Sequence, residues 1–309
     1  MGAKGLGSRS IIGEFYARLE QNVGAEWVPK LSPPIPFKSD QESETYKWLG
    51  MTPAMREWIG GRLAKGFREN GITVTNKKFE ATLEVLGDEI RRDKTGQVMT
   101  RVREMADRAN SHWASLLSTL ILNGESGVCY DTDYFFGEAH LEGDSGTQDN
   151  LLSIDVVDHT NPTVGEMQKC IFTAIATIIG FKDDKGEPMN ENATEFLVMV
   201  GPSLFPLAAT ACKDFMLTTG LPNIITATGF KVQPVANARL TTWTASFGVF
   251  RADGEVKPFI RQEEVPIEIS AVAEGSELEF NEDKHHYGIW SSRNVAYGYW
   301  QHAAKVTMT

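Results

Sequence analysis

The 309-residue chain is poor in the residues that advertise chemistry. Its 3 cysteines, Cys129, Cys170 and Cys212, stand far apart with no C-x-x-C pair, which argues against a disulfide framework or a thiolate metal site and leaves buried free thiols. None of its 6 histidines occupies a recognisable base position. There is no Walker A sequence and no G-x-G-x-x-G, so phosphate cradling by a Gly-rich loop has no support. "GESG" and "GDSG" resemble a nucleophile elbow only loosely, because neither follows a buried strand. No window approaches eighteen unbroken apolar residues, and "MGAKGLGSRS" has no apolar h-region, so the expectation is an intracellular, membrane-free protein. A basic excess is missing too. With Lys+Arg 30 against Asp+Glu 41 the formal net charge is -11, which argues against sequence-specific nucleic-acid binding, although an acidic wall can face nucleic acid without holding it.

The strongest candidate for chemistry is "CYDTDYFFGEAHLEGD", where Asp131, Asp133, Glu138, His140, Glu142 and Asp144 crowd together. Such oxygens suit a hard cation, but Phe135 stands where an EF-hand loop needs a ligand. A solvated acidic loop is the plainer expectation, and a metal-dependent hydrolase using residues 131–144 the alternative. His285 and His286 are adjacent in a strand pattern and point to opposite faces, so they do not share one ion. No catalytic, cofactor or metal residue is assigned.

What is present is an ordinary globular balance, 41% hydrophobic and 23% charged, enough for one large or two modest cores. Ile11, Phe15, Leu19 and Val23 recur at four-residue spacing and predict a short amphipathic helix. "WVPKLSPPIPFKSDQES" then extends with little to pack, a plain disordered tail being the other reading. "KKFEATLEV" alternates like a half-buried strand after the turn signal Asn70-Gly71. Val98, Val102, Met105, Ala109, Trp113, Leu116 and Leu120 predict one long helix, with Thr95 as N-cap and Asn123-Gly124 as its stop. About 27 residues at about 1.5 Å each make it about 40 Å long. Pro162 opens a second helix through Met167, Ile171, Ile175 and Ile178 to Gly180. "FLVMVGPS" reads as a buried strand, "LFPLAATACKDFML" as a helix after it, and the region from about 155 to 265 as compact α/β. Strand patterns return in "TWTASFGVF", "PIEISAV" and "GIWSSRNVAYGYWQHAAKV".

One stretch does not explain itself. "ETYKWLGMTPAMREWIGGR", Glu44 to Arg62, sets Trp48 and Trp58 in polar, Gly-rich surroundings with no apolar run to bury them. Together with the strand after it, this makes a two-stranded excursion, marginal in water unless something covers it.

The order of parts resembles the major capsid proteins of tailed bacteriophages, the Hong Kong 97-type fold. "YKWLGMTPAMREWIGGR", "NKKFEATLEVLGDEIRRDKTG", "CYDTDYFF" and "YGIWSSRNVAYGYWQ" look like stretches of the Mu-like phage major head subunit. The resemblance implies an α+β fold: an N-terminal arm at 1–43, an E-loop at 44–88, a peripheral domain with a spine helix at 89–154, an axial domain at 155–265, and return strands of the peripheral domain at 266–309. It further implies a non-enzymatic, self-assembling homo-oligomer. Hexamers and pentamers would close on icosahedral symmetry around double-stranded DNA in the virion, assembled in the host cytoplasm with a scaffolding protein, a head protease and a portal, and with a decoration protein as an option. An encapsulin-type shell protein is the alternative within the same fold. On this reading Tyr46, Trp48, Arg56, Trp58 and Arg62 of the E-loop contact a neighbouring subunit. Each tryptophan buries about 150–250 Å² there, together up to about 7–12 kcal/mol before ordering costs. Arg56 and Arg62 mainly fix register against carboxylates, and Gly60-Gly61 supplies the bend.

Overall fold

The computed structural model describes residues 7–21, 24–47, 71–93, 95–213, 225 and 228–309. Two sheets carry the fold. The larger core surrounds a five-stranded sheet in the order β5-β11-β8-β6-β7: β5 (Leu151–Ile154), β6 (Glu195–Val200), β7 (Lys231–Ala236), β8 (Ser246–Arg251) and β11 (Ala303–Met308). β6 reads "EFLVMV", and its unbroken apolar run is buried on both faces, as expected for a strand with cover on each side. Helices α6 (Val164–Gly180) and α7 (Phe205–Lys213) pack against each other and against this sheet. α6 starts with a reciprocal cap: Glu166 N–H donates to the Thr163 hydroxyl, and Thr163 N–H donates to the Glu166 carboxylate.

The second sheet has four strands in the order β1-β9-β10-β4: β1 (Phe37–Lys38), β4 (Lys77–Leu86), β9 (Phe259–Val272) and β10 (Lys284–Tyr297). β9 and β10 are 14 residues each and form a long antiparallel ribbon whose tip carries the short helix Glu277–Glu282. A separate antiparallel pair, β2 (Ser43–Tyr46) with β3 (Ile72–Thr75), stands beside it. The returning stretch 266–309 contributes to both sheets, β10 to the ribbon and β11 to the five-stranded core.

Residues 7–21 and 24–43 pack against the rest of the chain instead of extending free of it. α1 (Ser8–Gln21) buries Ile11 and Phe15 completely in a cluster with Val98, Val102 and Ala106, so the four-residue stripe finds a partner within its own chain. Arg18 clamps the pair through two bonds to Asp107, at 2.8 and 2.9 Å. α2 (Val28–Leu31) buries Trp27, Val28 and Leu31, and β1 runs parallel to β9. The prolines are held too, since Arg261 donates to the carbonyls of Pro33 and Pro34.

The expected single long helix is two. α3 (Gly87–Arg92) precedes α4 (Gln97–Asn110), and α5 (His112–Leu122) follows after a break at Ser111. The Ser111 hydroxyl donates back to the carbonyls of Asp107 and Arg108, a bond that competes with the helix ladder and bends it. The start of α4 differs as well. Asp93, not Thr95, accepts from Gln97 N and Val98 N at 3.0 Å each, and Gly96 makes this geometry accessible with φ of 73°. The stop at Asn123 stands where the sequence places it.

Candidate assembly surface

The foot of the excursion is rigid. Tyr46 ends β2 opposite Ile72, is buried within its own subunit, and donates from its hydroxyl to Gln262 Oε1 at 2.7 Å. Gln262 in turn donates to Val74 O at 3.1 Å and to Asn76 Oδ1 at 2.8 Å, tying both strands of the hairpin to β9. Burial first, then the charge of Glu44, raises the Tyr46 hydroxyl well above the ordinary phenol range, so it acts only as a donor here. Trp48, Arg56, Trp58 and Arg62 lie outside the described residues. The structure therefore places one of the five expected contact residues, and places it as an anchor.

Next to this foot is an arrangement the sequence does not announce. The guanidinium groups of Arg261 and Arg293 lie over the Trp113 ring, at 5.2 and 4.8 Å from its centroid. Both are buried, and burial lowers each to about 10 while Glu263 opposes the shift. They stay charged at neutral pH. Phe79 meets the His112 ring at 4.4 Å, and burial, reinforced by Arg293 and Arg239, lowers His112 to about 4 and keeps it neutral. The residues involved come from α5, β4, β9 and β10, so no local pattern could reveal them.

The acidic passage is not a solvated loop. His140 is fully buried, its Nδ1 lies 2.6 Å from Asp131 Oδ2, and its ring stacks on Trp300 at 3.9 Å. Phe181 also meets that indole, edge to face at 5.2 Å. Glu142 is buried as well, whereas Glu138 and Asp144 are exposed. The passage splits into an inward and an outward set, so its carboxylates do not converge on one point. Among the described residues no three His, Cys, Asp or Glu side chains are grouped to hold a metal. His285 and His286 take separate partners, Glu279 and Glu84, each at 3.0 Å. All three cysteines are buried and unpaired by disulfides. No helix among the described residues is long and apolar enough to cross a membrane.

Comparison with known proteins agrees with this reading. The curated relatives include the "Mu-like prophage FluMu major head subunit" of Haemophilus influenzae, 31% identical over 128 residues, or 41% of this chain and 42% of that protein. The "Major capsid protein" of Escherichia phage Mu is 32% identical over 102 residues, 33% of each chain. The matched stretches thus span less than half the length of these relatives. Among solved structures, the procapsid of bacteriophage JBD30 superposes with a TM-score of 0.56 at 21% identity, covering 97% of this chain and 74% of that one, which establishes the fold. The family model described as Mu-like prophage major head subunit gpT matches residues 18–163 and 223–309, so the chain belongs to that family and has the α+β, Hong Kong 97-type capsid fold.

Proposed function

We propose that the chain is the major capsid protein of a Mu-like phage head, a structural protein and not an enzyme. The observation that carries this reading is the family match across residues 18–163 and 223–309, which takes in the excursion and strands of both sheets. Hexamers and pentamers close into an icosahedral shell around double-stranded DNA. Residues 44–88 form the E-loop, 89–154 and 266–309 the peripheral domain, and 155–265 the axial domain. Tyr46 secures the foot of the loop through Gln262. Trp48 and Trp58 then seat on the adjacent subunit while Arg56 and Arg62 set the register. A scaffolding protein, a head protease, a portal and an optional decoration protein complete the assembly, in the host cytoplasm and then in the virion. The net charge of -11 supports a lining that repels DNA and so permits packaging and release.

The test is expression with and without the neighbouring head proteins, followed by sedimentation. Closed shells support the reading, and a persistent monomer or dimer in both preparations contradicts it. In the same assay Trp58→Ala is expected to cut shell yield while the subunit stays folded.

A further inference from the structure

Between α4 and the ribbon sheet lies an open groove of about 560 Å³. Phe79, Ala81, Leu83, Met105, Ala109 and Ile289 give it apolar walls. Arg101, Arg108, Glu80 and Glu104 stand exposed on its rim, none in an ion pair with a described residue, so with Arg293 the lining carries three arginines against two glutamates. Arg293 also lines it, is 3% exposed, and its Nε has no hydrogen-bond partner. Apolar walls with an unpartnered buried Arg293 Nε and a lining of net positive charge suit an aromatic side chain flanked by a carboxylate.

The chain carries such a group elsewhere. Phe280, on the tip helix Glu277–Glu282, is 90% exposed, more than any other described aromatic residue. Glu277 precedes it by three residues, hence on the same helix face, and is exposed without an ion pair to a described residue. The neighbouring carboxylates are engaged: Glu279 with His285, and Glu282 with Lys284 at 3.2 Å. The tip is fixed at the far end of the ribbon, where Asp283 pairs with Arg91 at 2.8 Å. Lys284 lies opposite Leu86 there, while Ser291 lies opposite Phe79 in the groove. Seven residues at about 3.3 Å each put that wall about 23 Å away, and even the near wall at Leu83, opposite Tyr287, is three residues or about 10 Å from Lys284, farther than a phenylalanine side chain extends, so the tip does not reach its own groove.

We propose that Phe280 of one copy seats in the groove of a second copy, with Glu277 facing the Arg101 and Arg108 rim. The contact is heterologous, two different patches meeting head to tail, which is the kind that closes into rings. It rests on the shell reading above. The segment 48–70 is the less suitable occupant, because Arg56, Arg62, Lys65 and Arg68 outnumber Glu57 and Glu69 and would meet a lining in which arginines also outnumber glutamates.

Pairing Phe280→Cys with Ala81→Cys in the full chain tests this directly, since the native cysteines are buried. Mild oxidation of assembled shells is expected to give a ladder of covalently joined chains on a denaturing gel, absent from either single variant. Phe280→Ser is expected to leave the subunit folded by circular dichroism and to lower shell yield roughly tenfold. Glu277→Arg is expected to weaken assembly, and adding Arg108→Glu to restore it. Intact shells that give only monomer bands, or a link from Ala81→Cys to Trp58→Cys instead, overturn the contact and leave the capsid reading standing. Absence of shells from the unsubstituted chain removes both.

Discussion

The five-stranded unit and the ribbon unit solve the problem of burial differently. In the first, β6 is apolar at nearly every position, and α6 and α7 pack over the sheet from the same chain. In the second, the far half of β9 alternates between half-buried and exposed positions. α1 and α4 cover one side, and an apolar groove and an exposed Phe280 are left over. One unit is covered from its own chain; in the contact proposed above the other is finished by a second copy. A shell subunit needs both properties, because its core must survive as a monomer while its edges must not be satisfied until assembly.

The comparison breaks most sharply in the core. Phe250, fully buried beside Phe259 at 5.7 Å, is expected to cost about 3–5 kcal/mol when changed to alanine, read from urea unfolding. Asp131→Ala is expected to cost about 1–3 kcal/mol, because it leaves the buried imidazole Nδ1 without its hydrogen-bond partner. It should not alter shell architecture or any metal response. Phe15→Ala removes an equally buried ring, but undocking α1 alone limits the loss to about 1–3 kcal/mol, with proteolysis appearing between residues 8 and 21.

The first pH response should come from two buried histidines, His302 beside the five-stranded sheet and His112 against Phe79 of the ribbon. Burial, with the Arg251 charge, lowers His302 to about 4, so the unfolded chain takes up the proton first and stability falls as pH drops from about 6.5 to about 4. Burial alone would raise Asp253, but hydrogen bonds from Arg251 and Thr194 outweigh it and hold it at about 2. Its contribution is present above about 4 and is lost as pH falls toward about 2. His302→Asn is expected to shrink the first window without abolishing it, because His112, also lowered to about 4, acts in the same range, measured as the midpoint of thermal unfolding against pH. The smallest effect belongs to the ribbon tip. Phe280→Ser should shift the stability of the isolated subunit by no more than about 0.5 kcal/mol.

Much of the fold was legible because period and punctuation survive in single segments. The stripe of Ile11 and Phe15, the continuous run of β6 and the stop at Asn123 all sit where the pattern puts them. What was illegible depends on distant partners. Ser111 looks like any polar helix residue until its hydroxyl bonds back to Asp107. The acidic passage looks solvated because spacing cannot tell that Asp131 and His140 satisfy each other beneath Trp300. Arg261, Trp113 and Arg293 meet only once three elements are packed. The expected contact residues are read from sequence and resemblance alone, apart from Tyr46, whose side chain turned inward to Gln262.

The most direct test of the division between the two units is hydrogen–deuterium exchange on the free subunit and on assembled shells. New protection on assembly is expected in residues 48–70, along the exposed side of α4 and in the tip helix Glu277–Glu282, with β6 and β8 unchanged because they are already closed. Protection that instead appears in β6 and β8, or none at the groove and the tip, would contradict the account.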